Sequence, residues 1–170
     1  KFAVEVDPRE DEILGVLPGA NCGGCGYPGC GGCAAAIVKG EAPINACPVG
    51  GAAVAEKVGA IMGVEAESGE RKVAHVICKG TCEKAKDKFE YDGVQECRAA
   101  SVLNGGAKAC AQGCLGLGTC VSVCAFDAIH IVDGVAVVDE EKCVNCGKCR
   151  EVCPKGLIVE KPASQEIIVN

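Results

Sequence analysis

Cys143-Val-Asn-Cys146-Gly-Lys-Cys149-Arg-Glu-Val-Cys153-Pro154 is the stretch on which the reading of the whole chain turns. Three cysteines at intervals of three, a fourth four residues later and a following proline form the spacing of a cubane iron–sulfur ligand run. A cubane needs thiolates converging from several directions. A tight loop with two residues between cysteines presents three sulfurs to one cube, and the fourth, Cys153, points away toward a second cube. The run therefore predicts a partner run elsewhere in the chain. Zinc is the competing metal, but it favours well-separated C-x2-C pairs and stops at four ligands, so the spacing favours iron and sulfide.

Composition agrees. The chain has 170 residues, enough for one ordinary domain or two small ones. Its hydrophobic fraction of 49% includes 16 cysteines, and with three Phe, two Tyr and no Trp there is little large apolar volume for a core. So dense a cysteine content implies a scaffold held by bridges or metals. The cysteines crowd too tightly for a regular disulfide framework and no signal peptide is visible, which points to a reducing compartment with folding tied to metal insertion. A net charge of −6 argues against nucleic acid as a partner. No apolar run approaches the ~20 residues of a membrane span.

From the N-terminus, Asp7-Pro8 predicts a helix to about Leu17, with Asp7 as N-cap and Glu10, Asp11 and Glu12 at its positive end. Asn21-Cys22-Gly-Gly-Cys25-Gly-Tyr27-Pro28-Gly29-Cys30 follows, a C-x2-C-x4-C element completed by Cys47 after sixteen residues. Its glycines allow the backbone to pass close to a cluster. Further helices are expected from Cys33 to Lys39, stopped by Gly40, and from Ala52 to Met62, with Val54, Val58, Ile61 and Met62 on one face. Residues 65–72 are expected to link residues 1–64 to a second domain, 73–170, whose first part (73–109) is an insertion carrying Cys78, Cys82 and Cys97. Charges at helical spacing from Thr81 to Phe89 suggest a solvated helix there.

The partner run is Cys110-Ala-Gln-Gly-Cys114-Leu-Gly-Leu117-Gly-Thr-Cys120-Val-Ser-Val-Cys124. Counted back from Cys124, the standard pattern places cysteines at 120, 117 and 114, but position 117 is leucine. Either Cys110 supplies the missing thiolate or this cluster is one cysteine short. Ala125 to Ile129 after this run parallels Pro154 to Ile158 after the other, an internal duplication. Between the runs, Asp133-Gly134 flanked by Ile129 to Val138 predicts a hairpin. His130 on that hairpin and His75 in another short apolar strand rank well below the cysteines as ligands. Gly113 to Gly118 lacks a preceding strand and the Lys-Ser/Thr of a phosphate loop, so it reads as a cluster loop.

The motif Pro18-Gly-Ala-Asn-Cys22-Gly-Gly-Cys25-Gly-Tyr27-Pro-Gly-Cys30 with Cys47-Pro48, joined to two ferredoxin-type runs, resembles the B subunit of the Rnf complex. That family is the ferredoxin-accepting, membrane-attached subunit of an ion-translocating ferredoxin:NAD oxidoreductase. The resemblance covers almost the whole chain. It implies one 4Fe–4S cluster on Cys22, Cys25, Cys30 and Cys47, and a second on Cys124, Cys143, Cys146 and Cys149. It implies a third that draws on Cys110 or Cys114, Cys120 and Cys153. Setting Cys33 aside as a buried helix residue leaves fifteen thiols, one short of four all-cysteine cubanes. A fourth cluster on Cys78, Cys82, Cys97 and Cys110 is left open, and with it a 3Fe–4S centre, a non-cysteine ligand, or Cys33 itself as the sixteenth thiolate.

The expected fold is α+β, a small helical iron–sulfur domain followed by a two-run ferredoxin-like domain. The expected function is electron transfer from reduced ferredoxin to the other subunits of a membrane complex, at the cytoplasmic face of the membrane. The alternative is the iron–sulfur subunit of a soluble hydrogenase or an electron-bifurcating enzyme. No catalytic acid, base or nucleophile and no flavin or nicotinamide motif is read from the chain, so hydride chemistry is assigned to another subunit. Lys1-Phe-Ala-Val reads as the foot of a membrane helix preceding Lys1, and Ser164 to Asn170 as a strand leading into further chain.

Overall fold

The structure, a computed structural model, describes residues 7–65 and 70–167. Its contacts divide the chain between Arg71 and Lys72 into two compact units.

The first unit is helical. Helix α1 (Pro8–Val16) starts as its sequence dictates: the Asp7 carboxylate accepts the Arg9 amide at 3.0 Å, and proline occupies the first turn. The Arg9 guanidinium pairs with the same carboxylate and holds it well below the usual range, at a pKa of about 2. Helix α2 (Gly29–Val38) begins four residues before the expected Cys33. The reason lies outside the helix, because Asn21 Oδ1 accepts the Cys30 amide at 2.8 Å and so caps the first turn. Gly29 makes this possible, since a Cβ there, at φ +77°, would lie 2.8 Å from that oxygen. Helix α3 (Gly51–Met62) ends on left-handed Gly63. Ile13, Leu17, Ala34, Ala36, Ile37 and Val58 form the core, with Val54, Ile61 and Met62 partly buried against it. That is the α3 face expected from periodicity.

The second unit is built on two antiparallel ribbons, so the protein is α+β. Strand β1 (Lys72–Val76) pairs with β4 (Ile158–Pro162), with His75 opposite Val159. Strands β2 (Ile129–Val132) and β3 (Val135–Val138) form the expected hairpin, with Asp133 and Gly134 at φ 48° and 77°. Two successive positive φ angles are those of the type I′ turn that matches strand twist. Short helices α4 (Cys97–Val102), α5 (Thr119–Ser122) and α6 (Lys148–Val152) carry cysteines into the space beside the ribbons. The core combines Val73, Val76, Ile129, Val135, Ala136 and Ile158 with Cys120 and Cys143.

Three sequence expectations fail here. No helix spans Thr81 to Phe89. The segment pairs instead with residues 107–109: the Lys88 amide donates to Ala107 O and the Ala109 amide to Lys86 O, both at 2.8 Å. Charges at helical spacing misled because Ala85 is the one buried residue from 82 to 88, so there is no apolar stripe to hold a helix down. Lys72 and Val73 to Val76 belong to neither linker nor insertion, since they form the strand against β4. Residues 164–167 form no strand, and residues 168–170 lie outside the described part.

Candidate iron–sulfur sites

Thirteen of the 16 cysteines gather around three small cavities, and none of the 16 is in a disulfide. The first cavity, in the N-terminal unit, has an empty volume of about 310 Å³. Five sulfurs border it: Cys22 and Cys25 on the glycine-rich loop, Cys30 and Cys33 on successive turns of α2, and Cys47 before Pro48. Cys33 was expected to be a packing residue. It is buried, but it also borders the cavity, and burial with the neighbouring Cys25 sulfur pushes its thiol up to about 12. Its i,i+3 spacing from Cys30 was the available sign.

The second cavity, about 370 Å³, lies in the C-terminal unit among Cys124, Cys143, Cys146 and Cys149, with Ala74, Phe126, Ile129 and Val138 as apolar wall. This is the set expected when the fourth cysteine of one run crosses to the loop of the other. The third, about 380 Å³, is bordered by Cys114, Cys120 and Cys153 and also by Cys97. Cys110, one of the two residues considered for this place, is exposed and does not border it. Leu117 is turned to an open groove with Cys82, Phe89, Tyr91 and Lys108.

The two C-terminal cavities share walls in a regular way. Ala74 borders one and Val76 the other; Val138 borders one and Ala136 the other. Residues i and i+2 of a strand point to the same face about 7 Å apart. The cavities are thus successive stations along the same strand faces.

Backbone amides are aimed at the sulfurs. Ala128 N–H reaches Cys124 Sγ and Leu157 N–H reaches Cys153 Sγ, each at 3.4 Å and each four residues after its cysteine. The equality is the internal duplication seen in atoms. Ala74 N–H, from β1, reaches Cys143 Sγ at 3.3 Å. Burial pushes the Cys120 thiol up to about 12 and the Cys149 thiol to about 11, helped by neighbouring thiols, and raises Cys114 and Cys47 as well. Metal-free, these groups stay protonated at neutral pH, and binding a cluster replaces the protons with iron. Soft sulfur donors, apolar walls and N–H groups directed at sulfur fit iron–sulfur clusters.

Other expected residues lie apart. Cys78 and Cys82 border none of the three cavities, although Cys78 Sγ accepts the Gly80 and Cys114 amides, both at 3.4 Å. His130 is exposed, and His75 lies in β1 with Nδ1 3.8 Å from Glu140. The cations around the last run are mostly engaged. Lys142 pairs with Asp127 and Asp139, Lys148 with Glu151 and Arg150 with Glu160, while Lys155 donates to Ala111 O. Glu160 also receives Lys72 and Asn145, and these donors hold its pKa at about 2.

Among the described residues no helix is long and apolar enough to cross a membrane.

Comparison with known proteins adds the family. One family model, described as an Fe-S cluster, matches residues 17–49, and the 4Fe-4S binding domain model matches residues 136–159. The B subunit of the Na(+)-translocating ferredoxin:NAD(+) oxidoreductase complex of Acetobacterium woodii is 56% identical over 99% of this chain and 51% of its own length. The B subunit of the proton-translocating ferredoxin:NAD(+) oxidoreductase complex of Clostridium ljungdahlii is 45% identical over 100% of the chain and 61% of its own. The corresponding ion-translocating oxidoreductase subunit of Methanosarcina acetivorans is 44% identical over 85% and 55%. The chain spans between 51% and 61% of the length of these curated relatives. Along its own whole length, the chain is homologous to the B subunits of ion-translocating oxidoreductase complexes, the family that its cysteine motifs resemble.

Proposed function

We propose that the chain is an electron-transfer module with three 4Fe–4S sites, part of a subunit that passes electrons from reduced ferredoxin into a membrane complex acting as an ion-translocating ferredoxin:NAD oxidoreductase. Cys22, Cys25, Cys30 and Cys47 hold the first cluster and Cys124, Cys143, Cys146 and Cys149 the second. Cys114, Cys120 and Cys153 belong to the third. Bound there, a cubane takes up and gives back single electrons. The observation that carries the reading is the placement of two cysteine-lined cavities side by side on the same strand faces. The protein's part is to fix that spacing and to aim N–H groups at the sulfurs, which sets the potentials. Hydride chemistry belongs to another subunit, and attachment is at the cytoplasmic face of the membrane.

The test is rapid mixing of the iron-loaded chain with dithionite-reduced ferredoxin. Bleaching of the visible absorption on the timescale of turnover supports the reading. No electron uptake from reduced ferredoxin, in a chain that carries its clusters, contradicts it.

Docking yields a prediction of its own. An acidic ferredoxin meeting an acidic chain needs a local cationic surface. Of the cations around the last run, Lys142, Lys148 and Arg150 are paired with carboxylates and Lys155 is held by Ala111 O, whereas exposed Lys84 and Lys86 make no ion pair among the described residues. Reversing both to Glu is expected to slow electron entry several-fold at low salt, with the difference fading as salt rises. Stopped-flow rates at two ionic strengths check this, and equal rates at low salt exclude the surface.

A further inference from the structure

We propose that Cys97 is the fourth thiolate of the third cluster, the ligand that the sequence lacks at position 117. The proposal rests on the reading of that cavity as an iron–sulfur site. Four cysteines border the second cavity and four border the third; in the third, Cys97 is the fourth, and Leu117 does not border it. Leu117 itself is turned to the groove occupied by Phe89 and Tyr91, so the standard ligand position of this loop faces elsewhere.

The short helix that delivers Cys97 is fastened to the elements that carry the other ligands. The Cys97 amide donates to Thr119 Oγ1 at 2.8 Å, one residue before Cys120. The Arg98 guanidinium donates to Glu151 O at 3.0 Å, two residues before Cys153. Helix α4 itself buries little. Cys97 and Ala100 are its buried residues, and Val102 at its end is 82% exposed. A helix tied by its first residues to two ligand-bearing elements, with its far end in solvent, is arranged to place one sulfur. Cys97 binds as the thiolate: its proton leaves to solvent as the iron–sulfur bond forms, and no electron changes hands. The segment before Cys110 then completes the ferredoxin-like site.

The experiment compares the iron-loaded full chain with Cys97→Ser, Cys110→Ser and Cys97→Asp, by iron analysis and EPR of oxidised and reduced samples. The unaltered chain and Cys110→Ser are expected to hold about 12 irons. Cys97→Ser is expected to lose between about one and four, with the signal of an oxidised three-iron cluster when the loss is one. Cys97→Asp offers a carboxylate ligand, and is expected to keep its iron while the EPR of one cluster changes. Full iron and an unchanged spectrum in Cys97→Ser, or an unchanged spectrum in Cys97→Asp, overturns the proposal, as does loss of a cluster in Cys110→Ser alone. If Cys97→Ser does not accumulate folded, Cys97→Asp still decides. Absence of iron from the unaltered chain would refute the cluster reading itself, a different result from iron that is indifferent to Cys97.

Discussion

Replacing Cys146 by alanine is expected to remove about four irons from the chain and to loosen the whole C-terminal unit. Cys146 sits in the tight loop between Cys143 and Cys149, where it borders the second cavity with Cys124, Cys143 and Cys149 and no fifth cysteine lines it. Beyond the lost ligand, the core of this unit is poor in volume. Its buried members are mostly valine and alanine, with Ile129 and Ile158 the largest, and two cysteines count among them. Ribbons as short as β1–β4 and β2–β3 are marginal by themselves. A cluster bridging the Cys143 loop to Cys124 supplies the cross-link, so its loss spreads to both ribbons. The measurement is iron content beside amide hydrogen exchange. Iron unchanged within error contradicts the ligand assignment; iron lost with exchange unchanged contradicts the cluster's structural role.

Gly116→Ala is expected to cost the third cluster without touching any sulfur. A Cβ at Gly116 would lie 2.7 Å from Gly134 O and 3.2 Å from Gly134 Cα, at φ +72°. The left-handed backbone alone costs about 1–2 kcal/mol for a side-chain-bearing residue. The obstacle is also backbone, so no rotamer change relieves it. Gly134 cannot retreat easily, because it sits in the β2–β3 turn and the Cys82 amide donates to the adjacent Asp133 O at 2.9 Å. The loop bearing Cys114 is therefore driven off the hairpin. The expected result is about four irons fewer and a less stable C-terminal unit. Gly31→Ala is the control: it lies on α2 with nothing within 4 Å of the added methyl, and should gain about 0.5–1 kcal/mol. Full iron in Gly116→Ala would mean that the loop tolerates displacement and the close approach is incidental.

What the sequence disclosed and what it hid follow from how local each signal is. The grouping of Cys143, Cys146 and Cys149 with Cys124 was legible because loop spacing and the crossing of the fourth cysteine are properties of the run itself. So were the Asp7 cap and the Asp133-Gly134 turn, each decided within a few residues. Cys97 was named only for a fourth cluster; its place beside the third cavity was not legible, because it depends on Thr119 and Glu151, far along the chain. The pairing of β1 with β4 joins residues farther apart still, Lys72 with Pro162, and so Lys72 looked like linker. Lys161 reads as a surface charge but is 4% exposed, held by Glu140 and by Gln165 O. Charge spacing between Thr81 and Phe89 suggested a helix only because charge alone was counted, without an apolar face to set against it.

The claim beneath all of this is that sulfur-bound iron, and not zinc, fills the three cysteine-lined cavities. Metal and acid-labile sulfide analysis of the anaerobically prepared chain, with EPR of the dithionite-reduced protein, tests it directly. The expected result is a brown protein with about 12 irons and about 12 sulfides per chain, and reduced spectra showing interacting clusters from the paired C-terminal sites. A colourless protein carrying zinc without sulfide would contradict it.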